Sequence, residues 1–526
     1  MTADPDPDPL VLALDCSTTA AKAVALDADG NRLAGSARPL DLIRPAPGQH
    51  EQDAEQWWSA SVDALAETVA TLGPGDAARV AGLAITHQRE SFVCLDAAGR
   101  ALRPAILWLD SRASAEIAEL GSPRVAELSG KPPDVTPALY KLAWLARHEP
   151  AVLHGADRVV EVHGYLTERL TGRRVTSTGS ADSLGLLDLR AGRWSPELLG
   201  LAGVRPDQVP DLVAPGEIIG PLLPDVAARL GLPRPVPLVA GIGDGQAAGL
   251  GTDATAPGLA YLNLGTSMVL GVASDAYLTG PAFRTLAGAP SGSYVLETVL
   301  NAAGYLITWF RREFGGPDDG DAPDPAPDPA LEATAATLPP GADRLLTVPY
   351  WNCAQTPYWD TAARGVTVGW HGGHTRAHLY RSLLEGVAFE LRLHLVGLEA
   401  ATSRQVDVLR AVGGGSRSPL WAQIVADVTG REVQPCDGEN SARGAAVLAW
   451  AGASAVAGAR RTDHGPLSAA ITAAARRMAP PGPALRPRPE ATRQYDRLFA
   501  VHRRIYPDLA GTFAALARAD GPGEHG

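Results

Sequence analysis

The sequence predicts an α/β chain built from two repeated halves, and three observations predict it. Apolar runs with strand-like alternation recur between segments of helical period through most of the 526 residues, the pattern of strands connected through helices. A short motif near the start, VLALDCSTTAAKAVALD (11–27), returns at 259–273 as LAYLNLGTSMVLGVA, with Gly265-Thr266-Ser267 where Ser17-Thr18-Thr19 stood. Two such copies imply a duplication, each copy heading its own domain. Finally, 45% hydrophobic and 20% charged residues are globular proportions, and the length gives ample core for at least two domains.

Taken in order, residues 1–9, MTADPDPDP, are acidic and Pro-rich and read as a disordered tail rather than a signal peptide. The first domain is expected over 10–252. It opens with the hairpin, Val11–Leu14 and Ala23–Leu26 being buried-strand patterns around a turn of small hydroxyl residues. A helix follows over 54–72, with Trp57, Val62, Leu65 and Val69 on one face. Residues 80–96, VAGLAITHQRESFVCLD, read as strand, polar edge and strand. At 236–251 a buried strand runs into a Gly-rich turn and a small-residue helix, VPLVAGIGDGQAAGLG. The boundary is placed at TDATAPG (252–258), and the second domain spans 258–485. Within it, 315–330 (GGPDDGDAPDPAPDPA) is low-complexity and reads as a surface loop. Residues 486–526 are helical in period, with an interruption at Pro507.

Charge and cysteine usage narrow the function. A net charge of −12 argues against nucleic acid or an anionic membrane as partner. No apolar run is long enough for a membrane span. The four cysteines, Cys16, Cys94, Cys353 and Cys436, form no CxxC pair, so a reducing cytoplasm is the expected compartment.

Four segments carry chemistry. The two hairpin turns bare backbone N–H groups and hydroxyls, the means by which a chain cradles phosphate, and a facing pair would clamp a polyphosphate between domains. In GIGDGQ (241–246), Asp244 ends an apolar strand among glycines, where a ligand can approach closely and a carboxylate can take a proton from a hydroxyl. As an alternative, Asp244 simply caps the following helix. In RAVGGGSRSPLWAQIVADVTG (410–430), a strand ends in Gly413-Gly414-Gly415-Ser416 before a helix starting near Pro419, a place for an anion or a flat base. The spacing departs from G-x-G-x-x-G, which disfavours a dinucleotide fold. His87, the pair Trp57-Trp58, and His371 with His374 read as packing or surface residues, since no further metal-ligating side chain accompanies the histidines at ligand spacing.

The order D-x-S-T-T…K, Q-R-E, W-x-D, G-D-x-Q, G-T-S and G-G-G-S resembles the FGGY family of carbohydrate kinases over roughly 10–510. Within the family, HEQDAEQWW (50–58), RPAILWLDSR (103–112), YKLAWLARHEP (140–150) and VPYWNCAQTP (348–357) resemble xylulokinase segments. The resemblance implies two actin-like (ribonuclease H-like) ATPase domains with the active site in the cleft between them. It implies transfer of the γ-phosphoryl group of Mg·ATP to a hydroxyl of a sugar or polyol, D-xylulose first, with glycerol, erythritol or ribulose as alternatives. A non-catalytic ATP-binding sensor on the same fold is the reading of a different class. By resemblance Asp244 is the catalytic base, and Asp15 lies near Mg²⁺, acting through water. Thr18, Thr19 and Lys22 match the first phosphate loop, and Gly265, Thr266 and Ser267 the second. Gly414, Gly415, Ser416 and Asn440 match the nucleotide side; Gln88, Arg89, Glu90, Trp108, Asp110 and Gln246 match the substrate side. A homodimer is also implied. Two positions depart from the pattern: Ser17 stands where the family usually has Gly, and Gln88-Arg89-Glu90 is a glycerol-kinase sequence where xylulokinases carry Gln-Met-His.

Overall fold

A computed structural model describes residues 9–315, 329–458, 464–480 and 482–519. The expected N-terminal tail, apart from residue 9, and the core of the expected acidic loop, 316–328, lie outside the described residues. The first half is organised on a six-stranded sheet. Its strands are β1 (Leu10–Cys16), β2 (Ala20–Leu26), β3 (Arg32–Pro39), β4 (Val80–His87), β5 (Ile218–Pro221) and β6 (Pro237–Gly243), in the order β5-β6-β4-β1-β2-β3. β1 and β2 form the expected hairpin, with Asp15 opposite Lys22, while β4 lies parallel to β1. Successive side chains of β1 point to opposite faces. Leu12 and Leu14 join one buried cluster with Trp57, Val62, Leu65 and Val69 of α1 (Ala54–Ala77). Val11 and Ala13 join another on the far side. Both faces are covered, which is why the strand reads as an unbroken apolar run.

The chain leaves this sheet through α2 (Asp244–Gly251) and builds a second one from β7 (Leu259–Leu264), β8 (Met268–Ser274), β9 (Arg284–Ala287), β10 (Tyr294–Leu300), β11 (Val408–Val412) and β12 (Glu432–Pro435). The order is β9-β10-β8-β7-β11-β12. β7, β8 and β10 are antiparallel neighbours, and β11 and β12 extend the sheet in parallel from β7. β1, β2, β3, β4 and β6 thus have counterparts in β7, β8, β10, β11 and β12. The duplication expected from two hairpins extends to five strands. Between β10 and β11 the chain adds α3 (Gly304–Phe314) and α4 (Arg376–Thr402) to the second core.

After β11, α5 (Pro419–Thr429) and β12, still within the 258–485 expected for the second domain, the chain crosses back. Helices α6 (Asn440–Gly458) and α7 (His464–Met478) return to the far face of the first sheet, where Ala442, Ala445, Ala446 and Ala449 pack with Val11, Ala13, Ala84 and Val239. The reason is size. A Cβ on Gly444 would lie 1.9 Å from the Ala247 carbonyl oxygen, and one on Gly251 would lie 1.9 Å from that of Asn440. Only small residues let α6 cross α2 this closely. The last helix, α8 (Pro489–Ala519), is not interrupted at Pro507 but runs through it. Tyr506 and Phe513, on either side of the proline, are both buried, and that packing holds the helix together across the missing N–H.

Candidate active site

Asp244 stands where β6 ends and α2 begins. Its glycine neighbours are dictated by space. A Cβ on Gly243 would fall 2.6 Å from the Arg89 side chain, and one on Gly245 would fall 2.7 Å from Glu297 Oε2. The Gly-Asp-Gly frame therefore admits an arginine and a glutamate to the carboxylate's surroundings. Oδ1 of Asp244 accepts from the Gly245 N–H at 2.8 Å and pairs with Arg89 Nε at 2.9 Å. Among the described residues no hydrogen bond reaches Oδ2, and the side chain is 39% exposed and lines the cleft. Burial raises the carboxyl's pKa and Arg89 opposes that rise.

Arg89 and Glu90 follow β4 and meet residues of the second domain. Arg89 Nη1 donates to both oxygens of Glu297 on β10, at 3.0 and 3.1 Å. Arg284 on β9 donates to Glu297 Oε1 through Nε at 2.8 Å and Nη2 at 2.6 Å, and through Nη1 to Glu90 Oε1 at 3.1 Å. Tyr261 on β7 donates its hydroxyl to Glu297 Oε2. Burial alone would raise the pKa of Glu297, yet Arg89 and Arg284 hold it down to about 2. Glu90 carries a left-handed backbone, φ +61°, at this junction. Strain of this kind persists where the surroundings over-determine it. Besides Asp244 Oδ2, two more groups of the network make no hydrogen bond among the described residues: Arg89 Nη2, a donor, and Glu90 Oε2, an acceptor. Both residues line the cleft.

The other expected substrate-side residues divide. Trp108 lines the cleft and donates Nε1–H to Thr18 Oγ1 at 3.0 Å. Gln88, Asp110 and Gln246 do not line it. Gln88 is buried, donating to Gln52 at 2.9 Å and accepting from Ser91 and Thr18. Asp110 is fully buried, its carboxylate taken by Arg112 at 2.8 and 2.9 Å and by the His50 N–H at 2.6 Å. Gln246 donates to the Gly179 carbonyl at 3.1 Å. Their motifs belong to the supports of the site rather than to its wall. Lys141 is another support: fully buried, it donates to the carbonyls of Trp108, Val135 and Thr136.

Sequence reasoning missed Tyr261, Arg284 and Glu297, and with them Thr136, Asn301, Gln355 and Ser441, all but Glu297 on the cleft wall. A signal existed for two of them. An arginine in FRTLA (283–287) and a glutamate in YVLETVL (294–300) interrupt otherwise apolar strands, and a charge in a buried strand needs a partner.

On the nucleotide side the cradle is backbone and hydroxyl. In the first loop the carbonyls of Cys16, Thr18 and Thr19 are occupied by Gln88, Gln52 and Leu40. In the second, those of Gly265 and Thr266 accept from the N-terminus of α3. In the first loop the Ser17 N–H and hydroxyl are spent on the Ala20 carbonyl and the Thr18 hydroxyl on Gln88, while Thr19 and Thr266 stand exposed at the two tips. Ser17 has no positive φ, and its hydroxyl donates to the Ala20 carbonyl at 2.8 Å, so no glycine is required there. The third loop presses on the second: a Cβ on Gly413, at φ +86°, would lie 2.5 Å from Asn263 Oδ1. Gly414 is half-buried, whereas Gly415 and Ser416 are buried, the first under Trp421 and the second bonded to the Gly413 carbonyl. Asn440 is spent within its own turn, on Cys436, Gly438 and Arg443. Its neighbour Ser441 lines the cleft and reaches the Asp244 carbonyl at 3.3 Å.

Asp15 fits a cation. Its Oδ1 is shut off from solvent with no hydrogen-bond partner. Its pKa is raised to about 7 by burial and then by the charge of Asp244, against Lys22. No group of three metal-ligating side chains occurs among the described residues. His371 and His374 sit together on an exposed turn, and Trp57 and His87 are buried outside the cleft.

Residues 10–251 match the N-terminal domain of the FGGY family of carbohydrate kinases, and residues 260–453 match its C-terminal domain. A xylulose kinase of Escherichia coli (strain K12) is 32% identical over 437 residues, 81% of this chain and 86% of that one. A glycerol kinase of Trichlorobacter lovleyi is 32% identical over 456 residues, 84% of this chain and 89% of the other. Among solved structures, xylulose kinase from Rhodospirillum rubrum superposes with a TM-score of 0.84 at 31% identity, covering 96% of this chain and 100% of that one.

Proposed function

The chain belongs to the FGGY family of carbohydrate kinases, a membership that brings ATP as phosphoryl donor, and we propose that its acceptor is a neutral ketopentose, D-xylulose, converted to D-xylulose 5-phosphate. The observation that carries this reading is the charge balance of the acceptor side. The two guanidiniums of Arg89 and Arg284 face three carboxylates, Glu297, Glu90 and Asp244. With carboxylates outnumbering guanidiniums in this network, a carboxylate on the substrate is disfavoured, while an open donor, Arg89 Nη2, and an open acceptor, Glu90 Oε2, suit adjacent hydroxyls.

The chemistry follows from positions. The attacking hydroxyl donates to Asp244 Oδ2. As its oxygen bonds to the γ-phosphorus and the bond to the β–γ bridging oxygen breaks, the proton passes to that carboxylate. Trp108 covers the apolar face of the carbon chain. The two hydroxyl loops hold the phosphates, and Lys22 adds a positive charge beside them. Asp15 would hold Mg²⁺ through water, and the ion would neutralise charge on the transferred phosphoryl group. With acceptor-side residues drawn from both domains, closure excludes water and favours transfer over hydrolysis. Four free cysteines among the described residues, and no helix there long and apolar enough to cross a membrane, support work in a reducing cytoplasm. The family resemblance is what supports a homodimer.

Glycerol, erythritol or ribulose is the second reading, favoured by Gln88-Arg89-Glu90 and by the glycerol kinase relative. A coupled ADP-release assay tests the proposal. ADP release that depends on D-xylulose and disappears in Asp244→Asn supports it. ATP binding without acceptor-dependent turnover favours the sensor reading.

A further inference from the structure

Glu297 touches no open part of the cleft, yet four side chains depend on it. It is fully buried on β10 and receives Arg89, Arg284 and Tyr261. Arg89 in turn pairs with Asp244, its Nε 2.9 Å from Oδ1. A guanidinium beside a carboxylate prefers two parallel bonds, fork to fork. At Asp244 that preference is not satisfied: Oδ1 takes Nε, while Oδ2 stays open. The restraint visible in the structure is Glu297, which takes Nη1 with both oxygens and is itself fixed by Arg284 and Tyr261.

We propose that Glu297 is a positioning residue for the reaction: it anchors Arg89 so that the arginine steadies Oδ1 of Asp244 without covering Oδ2, the oxygen that receives the acceptor's proton. This rests on the assignment of Asp244 as base. It also gives the interdomain geometry a purpose. Asp244 and Arg89 belong to the first domain and Glu297, Arg284 and Tyr261 to the second, so the base is left open only when the domains meet. With the second domain withdrawn, Arg89 loses its anchor and folds onto both oxygens of Asp244, and the base is closed while the cleft is wet.

The test is a set of substitutions in the full-length protein, with D-xylulose and Mg·ATP as probes and kcat separated from both KM values. Glu297→Gln is expected to lower kcat by about 10²-fold, the scale of a displaced proton acceptor, with the KM for ATP little changed. Glu297→Asp keeps the charge and recovers part of the loss. Tyr261→Phe, which loosens Glu297 without uncharging it, produces a smaller fall in kcat of the same kind. The decisive comparison is the double variant. Once Arg89→Met removes what Glu297 holds, Glu297→Gln costs nothing more, so Arg89→Met/Glu297→Gln matches Arg89→Met alone. Multiplying losses in the double variant, or a Glu297→Gln that weakens ATP as much as turnover, overturns the inference. The underlying assignment fails separately, by full turnover in Asp244→Asn.

Discussion

On the acceptor side of the cleft, Asp244, Arg89, Glu297, Arg284 and Glu90 form one chain of ion pairs that crosses between domains. On the side proposed for the nucleotide, the same two domains contribute turns of Ser, Thr and Gly, with Lys22 and an Asp15 whose Oδ1 has no hydrogen-bond partner beside the first turn. The first region is largely closed on itself: its two guanidiniums are held by three carboxylates of the protein, and Asp244 Oδ2, Arg89 Nη2 and Glu90 Oε2 are left open. The second is left for its ligand to complete. The contrast follows from what each side must bind. A neutral polyol needs fixed donors and acceptors at defined places, which an interlocked network provides. A polyphosphate with its cation brings its own charge, and a loop of N–H groups can receive it without a rigid partner.

Substitutions that act on one side and spare the other would sharpen this contrast, and any that struck both equally would break it. The largest effect is expected from Asp244→Asn. Turnover should fall by about 10³-fold or more, while isothermal titration shows ATP binding intact. Arg89→Ala should raise the KM for the acceptor by roughly tenfold or more, as expected when a charged hydrogen-bonding partner is lost, and leave that for ATP nearly unchanged in steady-state kinetics. Gly413→Ala should do the reverse. Its Cβ has no room against Asn263 and the backbone of Leu264 and Gly265, so the KM for ATP rises by roughly tenfold, comparable to 1–2 kcal/mol of backbone strain. Equal changes in both KM values in either variant would show that the sides are not separate.

Smaller effects probe the charges. Trp108→Phe removes one hydrogen bond, to Thr18, and should alter acceptor kcat/KM by about fivefold. The pH dependence of stability should also differ between wild type and Glu297→Gln. A carboxyl held at about 2 when folded, against an ordinary value of 4.5, contributes stability that is complete above the unfolded pKa and fades as pH falls toward 2. The melting-temperature gap between the two proteins should therefore narrow on acidification below pH about 4.5. A constant gap would show that the network does not depend on the ionised carboxylate.

The same contrast explains what could be read from the sequence. The nucleotide side is local. Each loop is one contiguous turn between two strands, so Ser17-Thr18-Thr19 and Gly265-Thr266-Ser267 announce themselves, and their likeness reveals the duplication that the two sheets share. The acceptor side is assembled from residues far apart in the chain. Arg89 and Glu90 are visible as an unusual motif, but Glu297 and Arg284, which lie about 200 residues away, gain meaning only when β9 and β10 are brought against them. That Asp110 and Gln246 bond to protein neighbours is not legible for the related reason that a motif does not say whether its polar atoms face a ligand or a neighbour. That residues past Asn440 pack on the first sheet is not legible in the sequence, because the partner of an Ala-rich helix face is not written in that face. Any closely packed sheet would accept it, and the crossing at Gly251 and Gly444 directs α6 to the first.

The most direct measurement of the central claim, that the acceptor side is a charge-closed site for a neutral ketopentose, is kcat/KM for D-xylulose, glycerol and D-gluconate, side by side in one ADP-release assay with Mg·ATP. The account predicts the highest value for D-xylulose, a lower one for glycerol, and no measurable turnover of gluconate, whose carboxylate meets a network in which carboxylates outnumber guanidiniums. Efficient turnover of gluconate, or a preference for glycerol over D-xylulose, would contradict it.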